Sequence, residues 1–418
     1  MGSTDEAGGL RRASEGGKPG DSGRPVLPLD GILVLDFSQF LAGPVAAMRL
    51  SDLGARVIKI ERPGIGDIGR TLAFAGMTLD GDTLSFHIMN RGKESYTADL
   101  KDRADLAAVR QLVARADVLI QNFRPGVMER IGLDYESVRR LNPRLVYGGV
   151  SGYGPDGPWR DLPGQDLLAQ SRSGLPWLSG SRDHGPVPVG LSIADLLASV
   201  HLAQGITALL LRRERTGEGG LIETSLMEGM LDLQFELISA HLTDPSVLVD
   251  RGGPYCANGF LAAPYGVYPT ADGYLALAMN PVPRLGELIG LAALSAFQDP
   301  ETWWTERERI EDLLAAHFST RPTRHWLDIL EPADVWCAQV LTLPELVGHD
   351  GFRTLAMDQE VRRPSVAGDG EVSLRTTRSP LRIDHATLRS ERGAPRLGEH
   401  TASIDSELHL RPGDEGSA

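Results

Sequence analysis

Ile32-Leu-Val-Leu-Asp-Phe37, Val45-Ala-Ala-Met-Arg-Leu-Ser-Asp-Leu53 and Ala55-Arg-Val-Ile-Lys-Ile60 stand in direct succession near the start of the chain. The outer two are short apolar runs bounded by turn residues, which is how a strand buried on both faces reads. Apolar residues at helical spacing fill the middle stretch, and Gly54 ends it. Strand, helix and strand make a βαβ unit, whose two strands must lie parallel in one sheet. The pattern continues downstream, with a helix over Asp105 to Ala114 feeding the strand Asp117-Val-Leu-Ile-Gln-Asn122, and a further strand over Arg144 to Val150. Such alternation predicts an α/β fold with a doubly wound parallel sheet and sites at the strand C-termini.

Beyond residue 190 a long helix is expected from Asp195, and a second helical pattern runs from Leu226 to Leu242. The stretch Asp250-Arg-Gly-Gly-Pro-Tyr-Cys-Ala-Asn-Gly259 breaks the rhythm, and residues 252–259 are a candidate lid or a plain linker. Pro264 to Met279 then reads as two strands joined by the Asp272-Gly273 turn. Helices near Arg284 to Leu291, Thr305 to Phe318 and Arg324 to Leu330 complete a smaller α+β domain. The expected division is a disordered, Gly- and Ser-rich leader over 1–25 and a large domain beginning with 26–225. The small domain occupies 226–334, and 335–408 rejoins the large one.

With 418 residues, 41% of them apolar and 23% charged, the chain resembles an ordinary globular enzyme of two or three domains. No uninterrupted apolar run reaches the ~18 to 20 residues of a membrane span, so no membrane partner is expected. A net charge of −14 disfavours broad nucleic-acid binding. Two cysteines, Cys256 and Cys337, form neither a disulfide framework nor a four-thiolate zinc site, and suit a reducing cytoplasm. The histidines show no paired ligand spacing and no Gly-x-Ser-x-Gly elbow occurs, so neither a metal centre nor serine hydrolysis is expected.

Asp195 is the only acid before Glu214 in an apolar helical run. An aspartate there is either an N-cap or a carboxylate nucleophile held beside oxyanion donors. Asp166 opens another helical pattern and raises the same question. Gly64-Ile-Gly66-Asp-Ile-Gly69 spells a dinucleotide fingerprint, but it follows the second strand; the turn after the first is Ser38-Gln-Phe-Leu-Ala-Gly43-Pro44. Glu61 ends a strand as a ribose-binding acid would, yet without the glycine turn NAD or FAD is not expected. Lys59, Arg62, Lys101, Arg124 and Arg130 lie near predicted strand ends. They form either a solvated face or a clamp for a phosphorylated adenosine.

Several segments together resemble class III CoA-transferases, the family of formyl-CoA transferase and carnitine CoA-transferase, with α-methylacyl-CoA racemase as a relative. Among the carriers are Pro28 to Asp36, Leu41-Ala-Gly-Pro44, Leu53-Gly-Ala-Arg-Val-Ile-Lys-Ile-Glu61-Arg-Pro and Asn90-Arg-Gly-Lys93. The others include Asn122-Phe-Arg-Pro-Gly126, Leu141-Asn-Pro-Arg-Leu145, Thr216-Gly-Glu-Gly219 and Leu397-Gly-Glu-His-Thr401. The resemblance implies a Rossmann-like domain with a smaller domain inserted, and a homodimer of two interlocked chains. It implies Asp195 as catalytic nucleophile, Asp166 as a second acid at the site, and coenzyme A contacts from Leu41, Arg62, Lys101, Asn122, Phe123 and Arg130. The reaction implied is transfer of CoA from an acyl-CoA thioester to a small carboxylic acid, through an aspartyl mixed anhydride and an aspartyl-CoA thioester. Leu41 replaces the glutamine of formyl-CoA transferases, which argues against oxalate as acceptor. Gln165 replaces the histidine of the racemases, which argues against moving an α-proton. An acyl-CoA racemase or isomerase, and a non-catalytic nucleotide-binding protein, are the alternative readings.

Overall fold

Val34, Leu35, Val57, Ile58, Leu119 and Ile120 are all shielded from solvent, and this two-sided burial is what the near-continuous apolar runs encode. The structure, a computed structural model, describes residues 26–72, 74–246, 251–368 and 370–410. The leader expected over 1–25 lies outside the described residues, as does Asp250. Six parallel strands form the central sheet: β1 (Leu33–Asp36), β2 (Arg56–Glu61), β3 (Glu94–Thr97), β4 (Val118–Gln121), β5 (Val146–Ser151) and β6 (Gly220–Ser225). Their order is β3-β2-β1-β4-β5-β6. The direction of progression reverses between β1 and β4, which leaves a crevice at the C-terminal ends of those two strands.

Alternate residues of each strand face opposite layers. Val34, Val57, Val118 and Val146 join α1 (Ala42–Asp52) and a long helix on one side, whereas Leu35, Ile58, Tyr96 and Leu119 pack with α2 (Arg103–Arg115) on the other. Helix α1 begins three residues before the expected Val45, because Ala42, Gly43 and Pro44 fill its first turn and are buried. Gly54 ends it as expected. Its φ is +107°, and a Cβ there would stand 2.6 Å from the Leu27 Cβ, so only glycine fits.

Two further helices frame the site: α3 (Asp166–Ser173) and α4 (Ile193–Thr216). By length and composition α4 could cross a membrane, although Asp195, His201 and Gln204 interrupt its apolar run in the sequence. Ala194, Ala198, Leu202, Ile206 and Leu210 bury one face of it against α1 and the sheet. The pattern from Leu226 to Leu242 is two helices, Leu226–Leu233 and Phe235–Thr243, separated by Gln234 at φ −103°, ψ 18°. No glycine or proline announces that break.

A second, antiparallel sheet comprises β7 (Gly266–Pro269), β8 (Tyr274–Leu277) and β9 (Cys337–Gln339), with β8 central and the Asp272-Gly273 turn joining the first two. Helices Val282–Ile289, Arg307–Phe318 and Thr323–Leu330 cover one face of it around Leu275, Leu285, Leu314 and Trp326. Its third strand comes from beyond residue 334. The chain then returns to the first sheet. The Gly398 amide donates to Ser95 Oγ at 2.9 Å, the His400 amide to the Ser95 carbonyl at 3.0 Å, and the Thr97 amide to Thr401 Oγ1 at 2.9 Å. The Leu397 to Thr401 segment is thus a seam along β3, and helix Thr401–Leu408 buries Ile404 against the core of that layer.

Candidate active site

Every strand of a parallel sheet ends on the same rim, and every helix returning to the sheet starts there. Arg62 follows β2, Lys101 follows β3, Asn122 to Arg130 follow β4, and Leu41 precedes α1. Asp195 sits in the first turn of α4, which packs beside α1. The topology therefore sets Leu41, Arg62, Lys101 and Asn122 to Arg130 on the side of the sheet where the strands end, and the first turn of α4 starts on that same side.

The turn after β1 rests on a buried charge cluster. Asp36 accepts from the Ser38 amide at 2.9 Å and from Lys93 Nζ at 2.7 Å, and Lys93 also donates to the Pro44 carbonyl at 2.8 Å. Lys59 Nζ donates to the Ser38 carbonyl at 2.7 Å and pairs with Asp67 at 2.8 Å. Burial opposes ionisation of Asp36, but Lys59 and Lys93 outweigh it and hold the carboxyl down at about 2. Burial outweighs the same pairing at Lys93 and brings its ammonium down to about 8. Above this cluster Phe40 takes φ +64°, an uncommon conformation for an aromatic residue. Its amide points to Asp67 Oδ1 at 3.3 Å. Close packing of the turn requires Gly43, since a Cβ there would fall 2.2 Å from the Ser38 Cβ.

Two of the basic and acidic residues singled out in the sequence are internal. Lys59 is fully buried in the cluster, paired with Asp36 and Asp67. Glu61 accepts from Arg70 Nε and Nη2, both at 2.8 Å, and from Ser95 Oγ at 2.6 Å. Its oxygens are occupied, so it offers nothing to a ribose. Arg62, Lys101, Arg124 and Arg130 are exposed and form no side-chain hydrogen bond or ion pair among the described residues. Free cations on a strand-end rim fit a phosphorylated ligand. Asn122 ties the turn after β4 to the turn after β1 by a reciprocal pair of bonds. It accepts from the Gln39 amide at 2.9 Å and donates to the Gln39 carbonyl at 2.7 Å. Phe123 is half-buried against the α2 layer, and Leu41 is half-buried at the head of α1.

Asp195 does not cap its own helix. Ser192 occupies the N-cap position and makes no side-chain cap bond, while Asp195 lies inside the first turn. The cap is supplied from α3: Asp166 Oδ1 accepts from the amides of Ala194 at 2.7 Å and Asp195 at 3.1 Å. Gln165 holds the N-cap position of α3, and so Asp166 caps its neighbour's helix and not its own. Its other oxygen, Oδ2, accepts from Gln170 Nε2 at 2.5 Å. This leaves the Asp195 carboxyl half-buried next to a negative charge. Burial first, and then Asp166, push it up to about 7 from 3.8. A carboxyl so placed is half ionised near neutrality and more basic than an ordinary aspartate, which suits a nucleophile.

Gln170 belongs to no motif in the sequence, although its i, i+4 spacing from Asp166 places both on one helix face. Two concavities do not reach Asp195. One of about 410 Å³ opens at the ends of β4 to β6 between Phe123, Arg124, Tyr147 and Glu223, and one of about 430 Å³ lies on the open face of the small sheet near Trp336. Neither contains Asp195. Residues 252–259 are strapped to the small sheet, with the Val267 amide donating to the Tyr255 carbonyl at 2.9 Å.

The model of CoA-transferase family III matches residues 29–401. The chain is 33% identical to the succinate–glutarate CoA-transferase of Agrobacterium fabrum, over 91% of this chain and 96% of that protein. It is 35% identical to the acetyl-CoA:oxalate CoA-transferase of Acetobacter aceti, over 92% and 97%. Among solved structures, a CAIB/BAIF family protein from Brucella suis superposes with a TM-score of 0.80 at 30% identity, covering 92% of this chain and all of that one.

Proposed function

Because the chain belongs to CoA-transferase family III, we propose that it moves coenzyme A from an acyl-CoA thioester to a small carboxylic acid with Asp195 as the covalent nucleophile. The observation that carries this reading is the Asp195 carboxyl itself, half-buried on the rim that carries Arg62, Lys101 and Arg130, with its proton affinity raised toward neutrality.

An Asp195 oxygen attacks the thioester carbonyl, the C–S bond breaks, and CoA leaves as thiolate from a mixed anhydride. The thiolate then attacks the aspartyl carbonyl of that anhydride and expels the donor acid as its carboxylate, leaving an aspartyl-CoA thioester. An acceptor carboxylate attacks this thioester, and the two steps run in reverse to yield the new acyl-CoA and free Asp195. No ATP is consumed, since the acyl group stays activated throughout. The first attack needs Asp195 ionised, so the rate rises with pH through about 7. Arg62, Lys101 and Arg130 hold the phosphates and adenine of CoA, while Leu41, Asn122 and Phe123 line its path through the crevice.

The names of the relatives pair CoA with succinate, glutarate and oxalate, and small diacids are the acceptors we propose. A second copy of the chain completes the enzyme as an interlocked dimer. Phe235 and Leu242, at 62% and 75% exposure, and Trp177 and Leu191 are large apolar side chains left in solvent, which a partner chain would cover. The small domain is inserted in this scheme, and the free thiols of Cys256 and Cys337 suit the cytoplasm. The test is a mass-spectrometric screen of succinyl-CoA, acetyl-CoA and formyl-CoA against succinate, glutarate, oxalate and mesaconate. New acyl-CoA masses that require both substrates support the reading, and thioester hydrolysis alone would refute it.

A further inference from the structure

Gln170 is only 1% exposed, and both ends of its carboxamide are bonded. Nε2 donates to Asp166 Oδ2 at 2.5 Å and to the Leu191 carbonyl at 3.1 Å, while Oε1 accepts from the Val189 amide at 3.1 Å. Two acceptors and one donor around it fix the orientation of the amide. From Asp166 the bonds continue to the amides of Ala194 and Asp195. An unbroken chain of hydrogen bonds therefore runs from residues 189–191, which lead into α4, through two side chains of α3, to the backbone of Asp195 itself. Ser192 contributes no cap bond of its own, so the entry of α4 depends on this chain.

We propose that Gln170 is a positioning residue for the nucleophile: it holds Asp166 across the head of α4 and ties residues 189–191 to the same point, which sets both the place and the electrostatic surroundings of Asp195. The inference rests on reading Asp195 as the nucleophile. Gln170 makes no bond to Asp195 and acts through Asp166 and residues 189–191. Glutamate at this position would put two carboxylates in contact, which cannot both ionise freely. Methionine would fill the space but deprive Asp166 Oδ2 of its Gln170 donor.

Four variants test this: Gln170→Met, Gln170→Glu, Asp166→Asn and the double variant Asp166→Asn/Gln170→Met. Activity is measured as kcat and KM with the most active pair from the screen. The ionisation of Asp195 is measured without substrate, from the pH dependence of urea stability with and without Asp195→Asn. Gln170→Met is expected to lower kcat about tenfold or more, with KM for the thioester nearly unchanged. In the Asp166→Asn background the same change should cost little more, because the two residues act as one unit. Gln170→Glu should move the pH at which Asp195 titrates by about one unit, because a proton shared between the two carboxylates changes the charge that Asp166 presents to it. A wild-type kcat in Gln170→Met, or an unmoved Asp195 titration in Gln170→Glu, would overturn the proposal. If Gln170→Glu does not fold, the methionine cycle decides alone. An active Asp195→Asn would remove the nucleophile reading, whereas an inactive one beside an additive cycle would remove only the role of Gln170.

Discussion

Asp195→Asn should make the ligand-free protein more stable at pH 8 and leave it nearly unchanged at pH 4. The carboxyl stands at about 7 in the folded protein against 3.8 ordinarily, through burial and the charge of Asp166. Between pH 4 and 7 the folded protein thus keeps a proton that the unfolded chain has released. Stability falls as pH rises through this window and stays reduced above it. At 1.36 kcal/mol per pH unit the full effect is about 4 kcal/mol. Water still reaches Asp195, which trims the cost, so a gain of roughly 2 to 4 kcal/mol is expected for asparagine at pH 8. Urea unfolding of both proteins at fixed concentration, at pH 4, 5.5, 7 and 8, measures it. A constant difference at every pH, or a less stable variant at pH 8, would show that Asp195 is not a buried, proton-hungry carboxyl.

Charge removal at the rim should weaken CoA binding: Arg62→Ala and Arg130→Ala are each expected to lose about 1 to 3 kcal/mol by calorimetry, and unchanged affinity in both would displace CoA from the β1/β4 crevice. Light scattering should give about twice the 45.1 kDa chain mass at every dilution, and an active monomer would contradict the interlocked pair. A 2-methylacyl-CoA incubated in D₂O should exchange its CoA with an added acid while taking up no deuterium; uptake independent of the acid, with no new thioester, would favour a racemase. Gly43→Ala should lower activity and stability together, because its Cβ would collide with Ser38, and a fully active variant would show that the turn can shift.

The parallel sheet was readable because burial on both faces leaves runs such as Val34-Leu35 and Leu119-Ile120 almost free of polar residues. Lys59 was misplaced on the rim by its position near a strand end. Strand alternation puts it on the same side as Val57, and Asp36 and Asp67 wait for it there. The break at Gln234 escaped notice because no glycine or proline marks it. Asp195 stood out locally, but the rule that an aspartate at a helix start caps that helix pointed the wrong way. Its amide is satisfied by Asp166, 29 residues earlier in the chain and steadied by Gln170. Helical periodicity describes one element at a time, so a bond between the heads of two helices is invisible to it.

The most direct test of the central claim is to trap the intermediate. The protein is incubated with its preferred acyl-CoA, treated with hydroxylamine, digested and read by peptide mass. Attack on an activated aspartyl carbonyl should leave a hydroxamate at Asp195, dependent on acyl-CoA and absent from Asp195→Asn. An unmodified Asp195 in a preparation that transfers CoA at full rate would contradict the account.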